Sequence, residues 1–202
     1  PAVVTQEATL GAMTNTEPIV LTPTEVTKTN PKDGAVYVWI PPGEFLMGAS
    51  ITDTLAYTSE MPQHRVVLDG FWIMQTEVTN AQYDAFIKVG GYDQEALWTT
   101  AGWKWRMDNK VEQPSCWNNE KWNKPDYPVV CVSWYEATAY AKWLTQKNGF
   151  KVSLPTEAQW EYACRAGTLT MTYRGNLEFI TEFNAPILDP IAWYGGNSGL
   201  DF

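Results

Sequence analysis

The residues of this sequence whose chemistry is most reactive are three cysteines. Cys116 and Cys131 have 14 residues between them. A disulfide across that spacing would stabilise the fold by about 3 kcal/mol on the loop-entropy model. The alternative is that Cys131, which lies between Val130 and Val132, is a buried thiol. No two cysteines have Cys-x-x-Cys spacing, so a copper or zinc site built from the three is not expected.

The sequence contains few residues that favour acid–base or nucleophilic catalysis. His64 is the only histidine, and a Ser-His-Asp triad would have to use it, yet the sequence has no Gly-x-Ser-x-Gly elbow. Structural hydrogen bonding is therefore the expected role of His64. Glu157 and Glu161 lie one helical turn apart, a spacing that is more typical of helix ends and salt bridges than of a catalytic carboxylate pair. The residues alone thus identify no catalytic group.

Oxygen ligands gather in the turn-rich tail of the sequence, where Asn184 and Asp189 precede Asn197 and Asp201. Carboxylate and amide oxygens in turns are typical of calcium sites. We expect Asn197 and Asp201 to be the calcium ligands. Calcium is the only cofactor that these residues indicate.

Composition limits the kinds of partner. The net charge of −9 disfavours nucleic acid, which needs clustered Lys and Arg. No run of residues is long enough to span a membrane. Eleven tryptophans favour core packing, but exposed aromatic side chains are also good contact anchors. The hypothesis is a binding loop that carries Trp98, Trp103, Trp105, Trp117 and Trp122.

Residues 1–34 differ from the rest of the sequence. They contain eight Thr and four Pro and no aromatic residue, so the sequence predicts an extended linker or arm there and a folded domain over residues 35–202. A Thr/Pro-rich stalk with O-linked sugars and a plain flexible tail are both consistent with this composition. A third interpretation is that the pieces Pro18–Leu21 and Glu25–Thr27 add an edge strand to a neighbouring subunit.

The strands are predicted as two hairpins. Val36–Ile40 and Glu44–Gly48 are expected to pair across Pro41–Gly43. Arg65–Leu68 and Phe71–Met74 are expected to pair across the Asp69-Gly70 turn.

Three helices are predicted from capping boxes, in which Thr or Ser is followed three residues later by Gln or Glu. The boxes are Thr79 with Gln82, Ser133 with Glu136, and Thr156 with Gln159. Gly167 is expected to close the third helix in the left-handed conformation. The segment 92–127 is expected to be a long loop, and loops of that length are usually functional or stapled.

Four blocks, in this order, resemble the formylglycine-generating-enzyme (sulfatase-modifying factor) family. The blocks are Pro41–Gly48, Pro62–Tyr83, Tyr127–Tyr140 and Leu154–Gly167, with a weaker echo at Ala192–Asn197. The resemblance implies an α+β fold: an irregular C-type-lectin-like domain with short antiparallel strands, about three helices and long ordered loops.

The resemblance also implies where the chemistry of the family lies. In catalytic members, two cysteines bind copper after a block that reads roughly Gly-Asn-x-Trp-Glu-Trp, and no such block precedes Phe202. No catalytic residue is therefore carried over, and the domain is expected to lack its C-terminal part. Cys164 matches a family cysteine whose disulfide partner would lie outside this chain. The single histidine excludes the three-histidine iron site of the ergothioneine-type relatives within this chain.

The function expected from these observations is a non-catalytic, extracytoplasmic binding or assembly module, secreted or attached to the cell surface. Its partner would be a protein or a glycan at the cell surface, and the N-terminal arm offers a route to self-assembly as a surface structural subunit. The alternative is the N-terminal part of a copper-dependent formylglycine-generating oxidase whose catalytic cysteines lie beyond residue 202.

Overall fold

The structure is a computed structural model, and it describes residues 3–4, 26–51, 53–181, 184–192, 194 and 196–197 of the chain. The fold is α+β, with short antiparallel strands, helices and long ordered loops. The strands are β1 Val3–Val4, β2 Thr27–Thr29, β3 Val36–Ile40, β4 Gly43–Met47, β5 His64–Leu68, β6 Phe71–Met74 and β7 Val152–Ser153. The α-helices are α1 Asn80–Lys88, α2 Thr100–Asn109, α3 Trp134–Asn148 and α4 Glu157–Arg165.

The chain divides into two compact units. The first unit is Pro1–Pro42 with Asp69–Pro155, and the second is Gly43–Leu68 with Thr156–Phe202. None of the four described α-helices combines enough length with enough hydrophobicity to cross a bilayer.

The first unit contains an antiparallel sheet of five strands in the order β2-β3-β6-β1-β7. Strands β3 and β6 pair with Trp39 opposite Trp72 and Val38 opposite Ile73. The two tryptophan rings lie 5.4 Å apart, so this cross-strand pair contributes packing beyond the backbone hydrogen bonds.

Aromatic side chains fill the core of the first unit. Tyr83 and Phe86 of α1 are almost fully buried, and the Tyr83 ring stacks on Tyr140 of α3 at 5.1 Å. Leu144 and Val152 complete the same core. The interpretation of aromatic residues as core packing therefore holds for Tyr83, Phe86 and Tyr140.

The second unit is built on the hairpin-like pair β4 and β5, in which Phe45 lies opposite Val66. Helix α4 packs on these strands, and its Tyr162 ring lies 5.2 Å from the Phe45 ring. The helix ends at Ala166 with φ 48°, followed by Gly167 with φ 83°. Gly167 has the expected left-handed backbone, but the cap itself is one residue earlier.

All three predicted capping boxes are present. Thr79 accepts a hydrogen bond from the N–H of Gln82, and Ser133 and Thr156 cap α3 and α4 in the same way. These motifs are predictable because every partner lies within four residues.

Both predicted hairpins are wrong in their pairing. Strand β4 pairs with β5, whereas β3 pairs with β2 and β6. A two-residue hairpin turn needs positive φ, and Pro41 and Pro42 have φ fixed near −65°. At the Asp69-Gly70 turn, the two flanking strands enter different sheets, because longer-range pairing overrides the local turn signal.

The expected loop 92–127 contains a helix that was not predicted from the sequence. Thr99 caps α2 by accepting a hydrogen bond from the N–H of Gly102. Helix α2 has tryptophans two positions apart, at 103 and 105, and a glycine in its first turn, so it lacks the clear 3.6-residue apolar period of the other helices. The described part of the chain thus holds four α-helices, one more than predicted.

The predicted arm 1–34 contributes strands β1 and β2 to the sheet of the first unit. Residues 5–25, including Pro18–Leu21, lie outside the described residues. The arm and domain boundary, and the role of the arm in self-assembly, stay predictions.

Candidate functional site: a cleft in the second unit

A cleft of about 730 Å³ lies within the second unit. We call it the α4 cleft. Three segments form it: the end of β4 with the loop that follows, helix α4, and the chain after α4. The lining residues are Leu46, Gly48, Ala49, Ser50, Asp53, Leu55, Ala56, Glu60, Gln63, Glu157, Trp160, Glu161, Cys164, Arg165, Leu169, Met171, Asn176 and Leu177.

An ion pair fixes one side of the α4 cleft. Glu161 and Arg165 approach to 2.7 Å at the (i, i+4) spacing of α4, and their side chains are only 19% and 18% exposed. Both also hold Gly48: its N–H donates to Glu161 at 2.9 Å, and its carbonyl accepts from Arg165 at 3.0 Å. Gln63 donates to the same carbonyl at 3.2 Å. The network ties helix α4 to the loop after β4 through Gly48.

Exposed apolar side chains form part of the remaining lining of the α4 cleft. Trp160 is 52% exposed, Leu55 is 49% exposed and Leu169 is 76% exposed. Asp53, Glu60 and Glu157 also line the cleft, so its charged groups are mostly acidic. Apolar walls with a few fixed polar groups are typical of binding clefts.

Cys164 lies on the α4 cleft as a free, exposed cysteine. Partial burial of the thiol raises its pKa; the Arg165 charge opposes this shift and the Glu161 charge adds to it. Because the thiolate is the reactive form, a raised pKa leaves Cys164 a protonated and slow nucleophile near neutral pH. The expected disulfide partner of Cys164 outside this chain stays a prediction.

The described residues do not fit the copper site that the family resemblance implies for catalytic members. Cys116 and Cys131 form a disulfide with their Cα atoms 5.5 Å apart, so Cys164 is the one free thiol of the described chain. The described residues contain no group of three His, Cys, Asp or Glu side chains placed to hold a metal. The second free thiol that a two-cysteine copper site needs is thus not among them.

The other predicted site residues are dispersed. His64 donates from Nδ1 to the carbonyl of Pro62 at 3.1 Å, which is a structural contact. Asn197 accepts from the N–H of Tyr194 at 2.9 Å and donates to the carbonyl of Ala192 at 2.8 Å. Asp201 lies outside the described residues, so the calcium site stays a prediction.

The five tryptophans of the predicted binding loop do not form one exposed surface. Trp98 is buried in the core and donates to the carbonyl of Gly91 at 3.0 Å, which corrects its assignment as an exposed anchor. Trp103, Trp105 and Trp117 are partly buried and pack against the core, while Trp122 is 37% exposed. A binding role for these four stays a prediction.

Glu157, Glu161 and Cys164 were singled out from the sequence, but most of the residues that shape the α4 cleft were not. Glu161 and Arg165 have the spacing of a helical ion pair, which was a readable signal. Trp160 and Leu169 gave none, because only the folded structure shows that these apolar side chains are left exposed.

The fold and the four sequence blocks define the class of protein. The described fold has short antiparallel strands, four α-helices and long ordered loops. These features are those of a formylglycine-generating-enzyme-like domain. Residues 23–187 match the family model of the sulfatase-modifying factor enzyme 1-like domain, and the chain belongs to this FGE-sulfatase family. The family predicted from the sequence blocks is confirmed.

Curated relatives include enzymes with different names. The chain is 33% identical to the formylglycine-generating enzyme of Streptomyces coelicolor over 166 residues, which are 71% of this chain and 51% of that enzyme. It is 37% identical to the hercynine oxygenase of Mycolicibacterium thermoresistibile over 130 residues, 59% of this chain and 28% of that protein. The chain thus spans about half or less of the length of these relatives.

A solved structure is similar as well. PvdO from Pseudomonas aeruginosa matches with a TM-score of 0.54 and 25% sequence identity, over 77% of this chain and 56% of PvdO. This similarity supports the fold that the family membership implies.

Proposed function

We propose that the chain is a binding or assembly module of the FGE-sulfatase family whose α4 cleft takes a polypeptide segment of a protein partner. The observation that carries the proposal is the combination of exposed apolar walls with a fixed polar side. Trp160, Leu55 and Leu169 offer apolar surface, while the Glu161–Arg165 pair and Gly48 hold the site in one geometry. Such preorganisation reduces the entropy lost on binding.

The charges of the α4 cleft favour a particular kind of segment. Asp53, Glu60 and Glu157 line it, and Arg165, the one cation among its described lining residues, is already paired with Glu161. A segment with apolar side chains flanked by basic ones complements these charges, and an acidic segment is repelled.

We place this module in an extracytoplasmic compartment, either secreted or at a cell surface. The Cys116–Cys131 disulfide supports this location, since such bonds persist in oxidising compartments and are rare in the cytosol. We propose a protein partner at the cell surface, which is compatible with that location.

The test is selection of peptides from a random library displayed on phage, with the folded chain as bait. We expect the selected peptides to lose at least about tenfold in affinity for the Trp160→Ala variant. The matched control is Trp134→Ala, because Trp134 is a similarly exposed tryptophan, at 62%, that does not line the α4 cleft. Equal affinity for the two variants, or no enrichment of any peptide, would contradict the proposal.

A second candidate function is supported by the sequence identity to formylglycine-generating enzymes. In this candidate the chain is the N-terminal part of an oxidase whose catalytic cysteines lie beyond residue 202. The test is conversion of a peptidyl cysteine to formylglycine, measured by mass spectrometry with copper and oxygen supplied. The assay uses the full product of the gene. Activity that is lost when two cysteines encoded after residue 202 are replaced would establish the oxidase. An inactive full product would exclude it.

A further inference from the structure

A second cleft, also of about 730 Å³, lies within the first unit near the start of α3. We call it the α3 cleft. It is lined by Trp105 of α2, by residues 110–115 that follow α2, and by residues 131–133 and 136 at the start of α3. The proposed function does not use this cleft, whose volume is in the range of small-molecule binding pockets.

Part of the lining of the α3 cleft is fixed scaffold. Cys131 is joined to Cys116 by the disulfide, and Pro114 is fully buried. Both oxygens of the buried Glu136 carboxylate already accept hydrogen bonds, from the hydroxyl of Tyr92 and from the N–H of Ser133. These groups hold the shape of the cleft and leave ligand contacts to its other residues.

An aromatic ring forms one wall of the α3 cleft. Trp105 is half-buried and packs against the core, and its ring lies 5.6 Å from the ring of Tyr135. The indole therefore lines the cleft from a supported position. A flat aromatic face of this kind suits a ligand that also has a flat apolar face.

Three polar side chains of the α3 cleft have no partner within the described part of the chain. Lys110 and Glu112 are exposed and Gln113 is half-buried, and none of the three side chains makes a hydrogen bond or an ion pair there. An ammonium donates, a carboxylate accepts, and an amide does both. The charges of Lys110 and Glu112 have opposite signs, which favours a ligand without net charge.

We propose that the α3 cleft binds a neutral saccharide, with the C–H face of a pyranose ring against Trp105 and its hydroxyl groups on Lys110, Glu112 and Gln113. A pyranose ring has an apolar face and a rim of hydroxyl groups, each of which both donates and accepts. A purely apolar ligand would cover the three polar side chains without offering them partners. An acidic polymer would be repelled by Glu112 and a basic one by Lys110.

The experiment is an NMR titration of the folded chain, with amide and indole N–H shifts followed at constant ionic strength. The probes are two neutral trisaccharides, cellotriose and N,N′,N″-triacetylchitotriose. Sorbitol is the control for hydroxyl groups without a ring face, and trigalacturonate is the acidic control. We expect saturable shifts of Trp105 and of residues 110–113 and 131–133 with at least one neutral trisaccharide, at a millimolar dissociation constant.

The decisive variant is Glu112→Ala, because Glu112 is exposed and its loss removes an acceptor without disturbing the core. We expect it to weaken binding about tenfold. The matched control is Glu120→Ala, an equally classed exposed glutamate that does not line the α3 cleft, and it should bind as the native chain does. Trp105→Ala should remove saturable binding, and Glu112→Ala still decides if the tryptophan variant does not fold.

Several results would overturn the proposal. They are equal affinities of Glu112→Ala and Glu120→Ala, binding of sorbitol or trigalacturonate as tight as that of both neutral trisaccharides, shifts confined to residues outside the α3 cleft, and no saturable shift at roughly 50 mM trisaccharide. None of these results bears on peptide binding in the α4 cleft, because the ligand and the unit differ.

Discussion

At the scale of single residues, the second unit depends on a few polar side chains that serve several partners at once. Arg165 pairs with Glu161, holds the carbonyl of Gly48, and donates to the carbonyl of Thr170 at 3.3 Å. Its loss would leave the Glu161 carboxylate without its cation in a half-buried place. Such multiple contacts make one side chain contribute more to stability than a single ion pair would.

We therefore expect Arg165→Ala to lower the free energy of unfolding by about 2 kcal/mol. The matched control is Lys104→Ala, which removes an ion pair with Asp108 that is also at (i, i+4). The Lys104 and Asp108 side chains are 76% and 57% exposed. That control should cost at most about 0.5 kcal/mol. Urea denaturation followed by circular dichroism measures both, and equal losses in the two variants would show that the Arg165 network contributes no more than a surface pair.

At the scale of structural elements, the segment between α2 and α3 is held by a disulfide and by hydrogen bonds from α1. The Cys116–Cys131 disulfide closes it, and Asn80 of α1 donates to the carbonyls of Trp122 and Lys124 at 2.8 and 2.9 Å. Cys131 has φ 59°, a left-handed conformation that costs a residue with a side chain roughly 1–2 kcal/mol. The disulfide therefore holds a backbone conformation that favours glycine.

Removal of this disulfide gives the second prediction. The double variant Cys116→Ala, Cys131→Ala should lose about 3 kcal/mol of stability, because the closed loop has a sequence separation of 15. The variant Cys116→Ala, Cys131→Gly should be more stable than it by about 1 kcal/mol, because glycine accepts positive φ. Thermal and urea unfolding of both variants provide the comparison, and a glycine variant less stable than the alanine variant would contradict the argument.

The elements also show which parts of the fold the sequence could predict. The capping boxes of α1, α3 and α4 were predictable, because a cap and its partner lie in one turn of chain. Helix α2 was missed because its tryptophans do not follow a helical period. The pairing of β4 with β5 was missed because strand pairing depends on residues far apart in sequence.

The candidate site was harder to predict than the fold. Glu161 and Arg165 have the (i, i+4) spacing of a helical ion pair, a signal that was not used. Nothing in the sequence indicates that Trp160, Leu55 and Leu169 stay exposed around one cleft. Apolar side chains are normally expected in the core. Their assembly on a surface is a property of the tertiary structure alone.

At the scale of the whole molecule, the chain is a member of a family whose named relatives differ widely. Formylglycine-generating enzyme and hercynine oxygenase both share sequence identity with it. A fold used under such different names does not by itself define an activity. The α4 cleft is therefore the feature on which the proposed binding function rests.

Protection of Cys164 from alkylation tests this function most directly, because Cys164 is the free thiol on the α4 cleft. The rate of reaction with iodoacetamide would be measured by mass spectrometry, with and without a peptide selected on the chain. We predict that the rate falls in proportion to the bound fraction, in the native chain and in Trp134→Ala alike, and that Trp160→Ala abolishes the protection. An unchanged alkylation rate when the peptide saturates the native chain would contradict the assignment of the α4 cleft as the binding site.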